Sequence, residues 1–91
     1  MAHTIRDKEK LLARVRRIKG QVEGIERALE REDKDCDAVL QNVTSCRGAL
    51  NGLMSEIIEG HIHMHVLPSK HTPEQEKAAD LLVDVIRAYL K

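Results

Sequence analysis

The sequence contains no tryptophan and no phenylalanine, and Tyr89 is its single tyrosine. A platform that stacks the bases of single-stranded nucleic acid needs aromatic faces, so that class of binder is excluded. No apolar run approaches the roughly 18 residues that span a bilayer, and the opening segment MAHTIRDKEK is charged where a leader would be apolar. The chain is therefore expected to be soluble and cytoplasmic, with no membrane partner. Cysteine is scarce as well: Cys36 and Cys46 make no disulfide framework, and reduced thiols are the expectation. Proline is absent before Pro68, so nothing breaks a helix over most of the length. Net charge is zero and the chain has 91 residues, which fits a single domain over 1–91. A compact monomer of that size buries only about 60 to 65% of its unfolded surface, so association between copies would add needed stability.

The zero net charge conceals a gradient. Residues 1–20 carry Arg6, Lys8, Lys10, Arg14, Arg16, Arg17 and Lys19 against Asp7 and Glu9, a local excess of +5 that leaves −5 for the remainder. Such a basic segment is either a solvated helix face or a localised contact for a polyanion. Apolar spacing predicts three helices. Leu11, Val15, Ile18, Val22, Ile25 and Leu29 recur in steps of four and three, with Thr4 as the expected N-cap. The acidic stretch 30–35 reads as a turn. From Cys36 a second helix runs past Val39, Val43, Cys46, Leu50, Leu53 and Ile57 to about residue 65, with Cys46 at a core position. Thr72, Pro73 and Gln75 supply an N-cap, a first-turn proline and a capping-box partner for a third helix. The expected fold class is all-α, a three-helix protomer with a long central helix.

At 1.5 Å per residue, about 30 residues make that helix roughly 45 Å long, more than a compact domain of this size is wide. Its apolar surface is too broad for one partner helix, which predicts an oligomer in which it packs against its own copy. Near its end, EGHIHMHVLP puts histidines at 61, 63 and 65. At 100° per residue His61 and His65 stack on one side, close enough to chelate one ion, while His63 points away. Two imidazoles are half a site. Cys36 lies 25 residues earlier on the same helix, about 37 Å distant, too far to share an ion within one chain. In a two-fold antiparallel pairing that sets 36 opposite 61, the helices cross between 48 and 49, where Gly48, Ala49 and Gly52 permit close approach. The derived metal site is Cys36 of one subunit with His61 and His65 of the other. The helix dipole at a first turn favours the thiolate form of Cys36. His63 and His71 are expected to be solvated. No acid/base pair with an obvious pocket emerges, so an enzyme is not expected.

The string HTIRDKEKLLARVRRIKGQVEGIERALE, the isolated Cys36, and RGALNGLMSEIIEGHI with His61 and His65 together resemble the CsoR/RcnR/FrmR family of small helical metal- and aldehyde-responsive repressors. The likeness extends over essentially the whole chain and is nearest to the nickel/cobalt-responsive branch. It implies a disc-shaped homotetramer, a dimer of antiparallel dimers, whose apo form holds double-stranded operator DNA and is released on binding Ni(II) or Co(II), derepressing a metal exporter. It also implies that His3 and the amino terminus at Ala2, after loss of Met1, join the metal ligands. Lys10, Arg14, Arg17 and Gln21 recur alongside the apolar seam on what periodicity makes an exposed face. The resemblance assigns Arg14, Arg17 and Gln21 to DNA, with Lys10, Arg16 and Lys19 in the same basic segment. One thiolate with several nitrogens suits nickel, cobalt or zinc better than copper(I), and a larger ligand set favours nickel and cobalt over Zn(II). Two alternatives stand beside this reading. One is a formaldehyde sensor of the same family, built on Cys36 and the terminal amine. The other is a helical metal-storage or carrier protein with no DNA role.

Overall fold

A computed structural model describes residues 7–31 and 36–90. Helix α1 spans Lys8–Glu30, α2 spans Cys36–His61 and runs directly into a π-helical turn over Ile62–Val66, and α3 spans Pro73–Tyr89. Among the described residues there is no strand, and no helix is long and apolar enough to cross a membrane. The all-α, three-helix protomer with a long central helix is as expected.

Local chemistry explains where the helices begin and end. Asp7, not Thr4, holds the cap position of α1, without a side-chain capping bond; Thr4 lies outside the described residues. At α3 the capping box is complete: Gln75 N–H donates to Thr72 Oγ1 at 3.1 Å and Thr72 N–H donates to Gln75 Oε1 at 2.8 Å, with Pro73 in the first turn. The end of α2 differs from simple α periodicity. Leu67 N–H donates to the Ile62 carbonyl at 2.7 Å, an i to i+5 bond that widens the last turn. Pro68 can neither continue the helix nor donate, and its ring pushes Leu67 into extended backbone (φ −75°, ψ 127°). The wide turn lets the last amide before the proline satisfy a terminal carbonyl.

The chain folds as two antiparallel hairpins sharing α2. Across α1 and α2, Arg14 meets Glu56, while Gln21 and Gly24 of α1 lie by Asn42 and Ser45 of α2. On the other side α3 returns along the end of α2, with Arg87 bonded to Glu59. A small core of Ile62, Ala79 and Val83, with Ile58, Leu67 and Ile86 packed against it, fixes α3 there. Cys46 is buried, as its position in the apolar stripe predicts, and so is Ile18 from α1. Little else is. The protomer measures 59 × 25 × 13 Å with a radius of gyration of 17.4 Å, against about 12 Å for a compact chain of this length. Leu40, Val43, Leu50, Met54 and Ile57 on α2, and Val15, Val22 and Leu29 on α1, remain exposed. A lone chain thus has no place for most of its apolar side chains.

Candidate functional site

Cys36 opens α2 and is exposed. His61 closes the α-helical part of α2, and His65 follows in the π turn. A π turn rotates less per residue than an α turn, yet the fourth residue on still returns to nearly the same side. The two rings lie 5.1 Å apart between centroids, tilted by 37°. Two imidazoles ligating one ion at about 2.1 Å each, with a ligand angle of about 90–110°, hold their centroids roughly 4.5–5.2 Å apart. Both side chains are exposed. The observed separation falls within that range. Cys36 is at the opposite end of the 26-residue helix, so these three donors do not meet within one chain. Ala2 and His3 lie outside the described residues.

The basic side chains of α1 divide into two sets. Arg16, Arg17 and Lys19 are exposed. Arg14 is turned onto α2 instead of standing on an open face: its Nη2 donates to Glu56 Oε1 at 3.0 Å, and Lys10 Nζ approaches the same oxygen at 3.4 Å. Gly52 makes room for this, because a Cβ there would meet Arg14 Nη1 at 2.6 Å. Gln21 is half-buried, and its amide oxygen is enclosed without a hydrogen-bond partner among the described residues. The expectation of one exposed face holds at Lys10 and Arg17 and is corrected at Arg14, which Glu56 draws onto α2, and at Gln21, which is half-buried. At the helix midpoint Gly48 has open space where a Cβ would be, whereas the space at Gly52 is filled by Arg14 of the same chain.

His63 and His71 are also not simply solvated. His63 is half-buried with Nε2 3.4 Å from Asp80 Oδ1. His71 Nδ1–H donates to the Pro68 carbonyl at 2.7 Å and its Nε2 contacts Glu76 Oε2. The Pro68 bond, assisted by Glu76 and opposed by partial burial, holds the His71 pKa above the usual 6.5. Helical periodicity could place His63 opposite His61 but carried no signal for what α3 would set against it.

Residues 7–88 match the family model described as metal-sensitive transcriptional repressor. Over its full length the chain is 52% identical to an uncharacterized protein from the bioA 5′ region of Serratia marcescens, covering all of that protein. It is 43% identical to the transcriptional repressor RcnR of Salmonella paratyphi B, again over the whole of both chains. Among solved structures it is similar to a glutamate-to-histidine variant of the formaldehyde-responsive regulator FrmR from Salmonella enterica serovar Typhimurium. The TM-score is 0.67 at 45% identity, covering 96% of this chain and 98% of that one. The chain belongs to the metal-sensitive transcriptional repressors, a family of regulators and not of enzymes.

Proposed function

We propose that this protein is a cytoplasmic repressor that acts as a single-domain homotetramer, binds operator DNA when metal-free and releases it on binding Ni(II) or Co(II). The observation that carries the reading is the 5.1 Å pairing of His61 with His65 at the far end of α2 from an exposed Cys36. Half a ligand set at each end of one long helix is completed when a second copy lies antiparallel. The exposed apolar faces of α1 and α2 and the open space at Gly48 support that packing, and two such dimers give the tetramer.

Cys36, exposed at the start of α2, offers a sulfur donor. His61 and His65 of the partner subunit add two imidazole nitrogens, and Ala2 and His3 add the terminal amine and a third. A bound Ni(II) or Co(II) supplies the shared centre that these donors satisfy together. Recruiting residues 2 and 3 would pull on the segment that leads into α1, whose Arg16, Arg17 and Lys19 face solvent, with Lys10, Arg14 and Gln21 beside them. These residues hold the DNA, largely through phosphates and duplex shape. RcnR is the name of relatives at 43% identity; the one-thiolate, nitrogen-rich donor set suits nickel and cobalt, with zinc as the tetrahedral competitor.

A second reading is favoured by the 45% identity to a formaldehyde-responsive regulator: an exposed Cys36, if joined by the terminal amine, would also have the chemistry to capture an aldehyde. One experiment separates the readings. Apo-protein is mixed with DNA from upstream of its own gene in a gel-shift assay, and nickel, cobalt, zinc, copper(I) or formaldehyde is titrated in. Release by nickel or cobalt at the lowest concentration, with Cys36→Ala unresponsive and lacking the thiolate-to-nickel absorption band, is the expected result. Release by formaldehyde alone would replace the metal reading. Absence of any shift by apo-protein would leave a metal carrier. Binding should fall steeply between about 50 and 200 mM salt, as phosphate-dominated contacts do.

A further inference from the structure

We propose a second divalent-cation site, contained within one chain and free of sulfur, formed by His63, Glu76 and Asp80. Glu76 and Asp80 stand one turn apart on α3 and face the π turn that carries His63. One ligand atom from each lies within 4.8 Å of the other two, and His63 Nε2 is already 3.4 Å from Asp80 Oδ1. Nitrogen and oxygen donors around a first-row divalent ion sit about 3 to 3.5 Å from one another. The Glu76 carboxylate, half exposed, is the one of the three that needs to close in.

The surroundings favour an ion over a plain ion pair. Two carboxylates at i and i+4 repel each other, and among the described residues neither is bridged to a lysine or arginine; each meets only an imidazole. Glu76 is oriented from outside by His71, whose ring is fixed in turn by the Pro68 carbonyl. A ligating carboxylate held by a fixed outer partner is the usual construction of a metal site. One nitrogen and two carboxylate oxygens suit Zn(II), Co(II) or Mn(II) and exclude copper(I) preference. An ion here would fasten the π turn, and with it the backbone of His65, to α3. The proposal is independent of the site at Cys36, which needs a thiolate and a second subunit.

The test uses full-length, chelator-treated protein titrated with Zn(II) by calorimetry and with Co(II) by visible spectroscopy. Wild type should take two ions per chain, Asp80→Asn one, with the thiolate-to-cobalt charge-transfer band unchanged. Cys36→Ala should lose that band yet keep one ion with d–d absorption only, and should melt at higher temperature when Zn(II) is added. Both effects should vanish in Cys36→Ala/Asp80→Asn and in Cys36→Ala/His63→Ala, whose helicity by circular dichroism should match that of Cys36→Ala. The proposal is overturned if Cys36→Ala keeps no ion, or keeps one that survives Asp80→Asn and His63→Ala and so belongs to His61 and His65. A wild type lacking the charge-transfer band would instead refute the Cys36 site and leave this one standing.

Discussion

Arg14 of α1 donates across the helix pair to Glu56 of α2. Its guanidinium, which helical spacing puts on an exposed face, is folded over Gly52 onto Glu56. Both side chains keep some exposure, 33% and 22%, so the pair is screened and contributes at most about 1 kcal/mol. If Arg14 holds DNA as proposed, that is enough to matter, because phosphates would compete with Glu56 for the same charge. Glu56→Gln should therefore tighten operator affinity by up to about fivefold, read from gel shifts at fixed salt. Gly52→Ala should act through the same side chain. Its new methyl displaces the flexible end of Arg14, while replacing glycine inside a helix adds about 1 kcal/mol of stability. The two substitutions combined should give less than the sum of their separate effects, since each releases the same group. If Glu56→Gln instead weakens binding as Arg14→Ala does, the carboxylate positions the arginine and does not restrain it.

At the scale of elements, α3 depends on a few short-range devices. Thr72→Ala removes the cap from Gln75 N–H and should cost about 1 kcal/mol, seen as faster amide exchange in the first turn of α3. Ile62→Ala empties the centre of a core whose buried members are only Ile62, Ala79 and Val83. It should cost about 2–5 kcal/mol and detach α3 before the rest melts. How much of this was legible follows from range. The start of α3 could be read because capping chemistry lies within four consecutive residues, and the long central helix because apolar spacing repeats along it. Its π ending could not, because side-chain periodicity records which residues are apolar, not whether an amide bonds four or five residues back. The pairing of His61 with His65 survived that change of geometry. Arg14 with Glu56 and His63 with Asp80 were invisible, because each joins residues from different helices, and single-helix periodicity carries no information about what a neighbouring helix brings. The inward turn of Arg14 also needed Gly52, which read alone looked like a feature of the dimer axis.

For the whole molecule the decisive question is which chain supplies which ligand. Cys36→Ala protein and His61→Ala/His65→Ala protein should each fail to develop the nickel–thiolate band. Mixed under exchange, they should recover it to about half per heterodimer, because one of the two sites then has intact Cys36 from one chain and intact histidines from the other. A site built within a single chain would recover nothing. Clearing an operator from 99:1 bound to 1:99 requires metal to favour the released form by about 5.5 kcal/mol, and the proposed ligand set, joining two subunits to the segment before α1, would give that energy a mechanical outlet.

The exposed apolar face of the lone protomer carries a consequence for the cell's economy of copies. In the proposed oligomer, a chain with Leu40 at 62% exposure and Leu29 at 60% would gain much of its stability from finding another, so folding and repression would draw on the same mass-action equilibrium. Its melting temperature should climb with total protein concentration, checked by scans across a hundredfold dilution series. At low copy number, shortly after division or early in expression, regulation would then be lost by dissociation, without any metal being present.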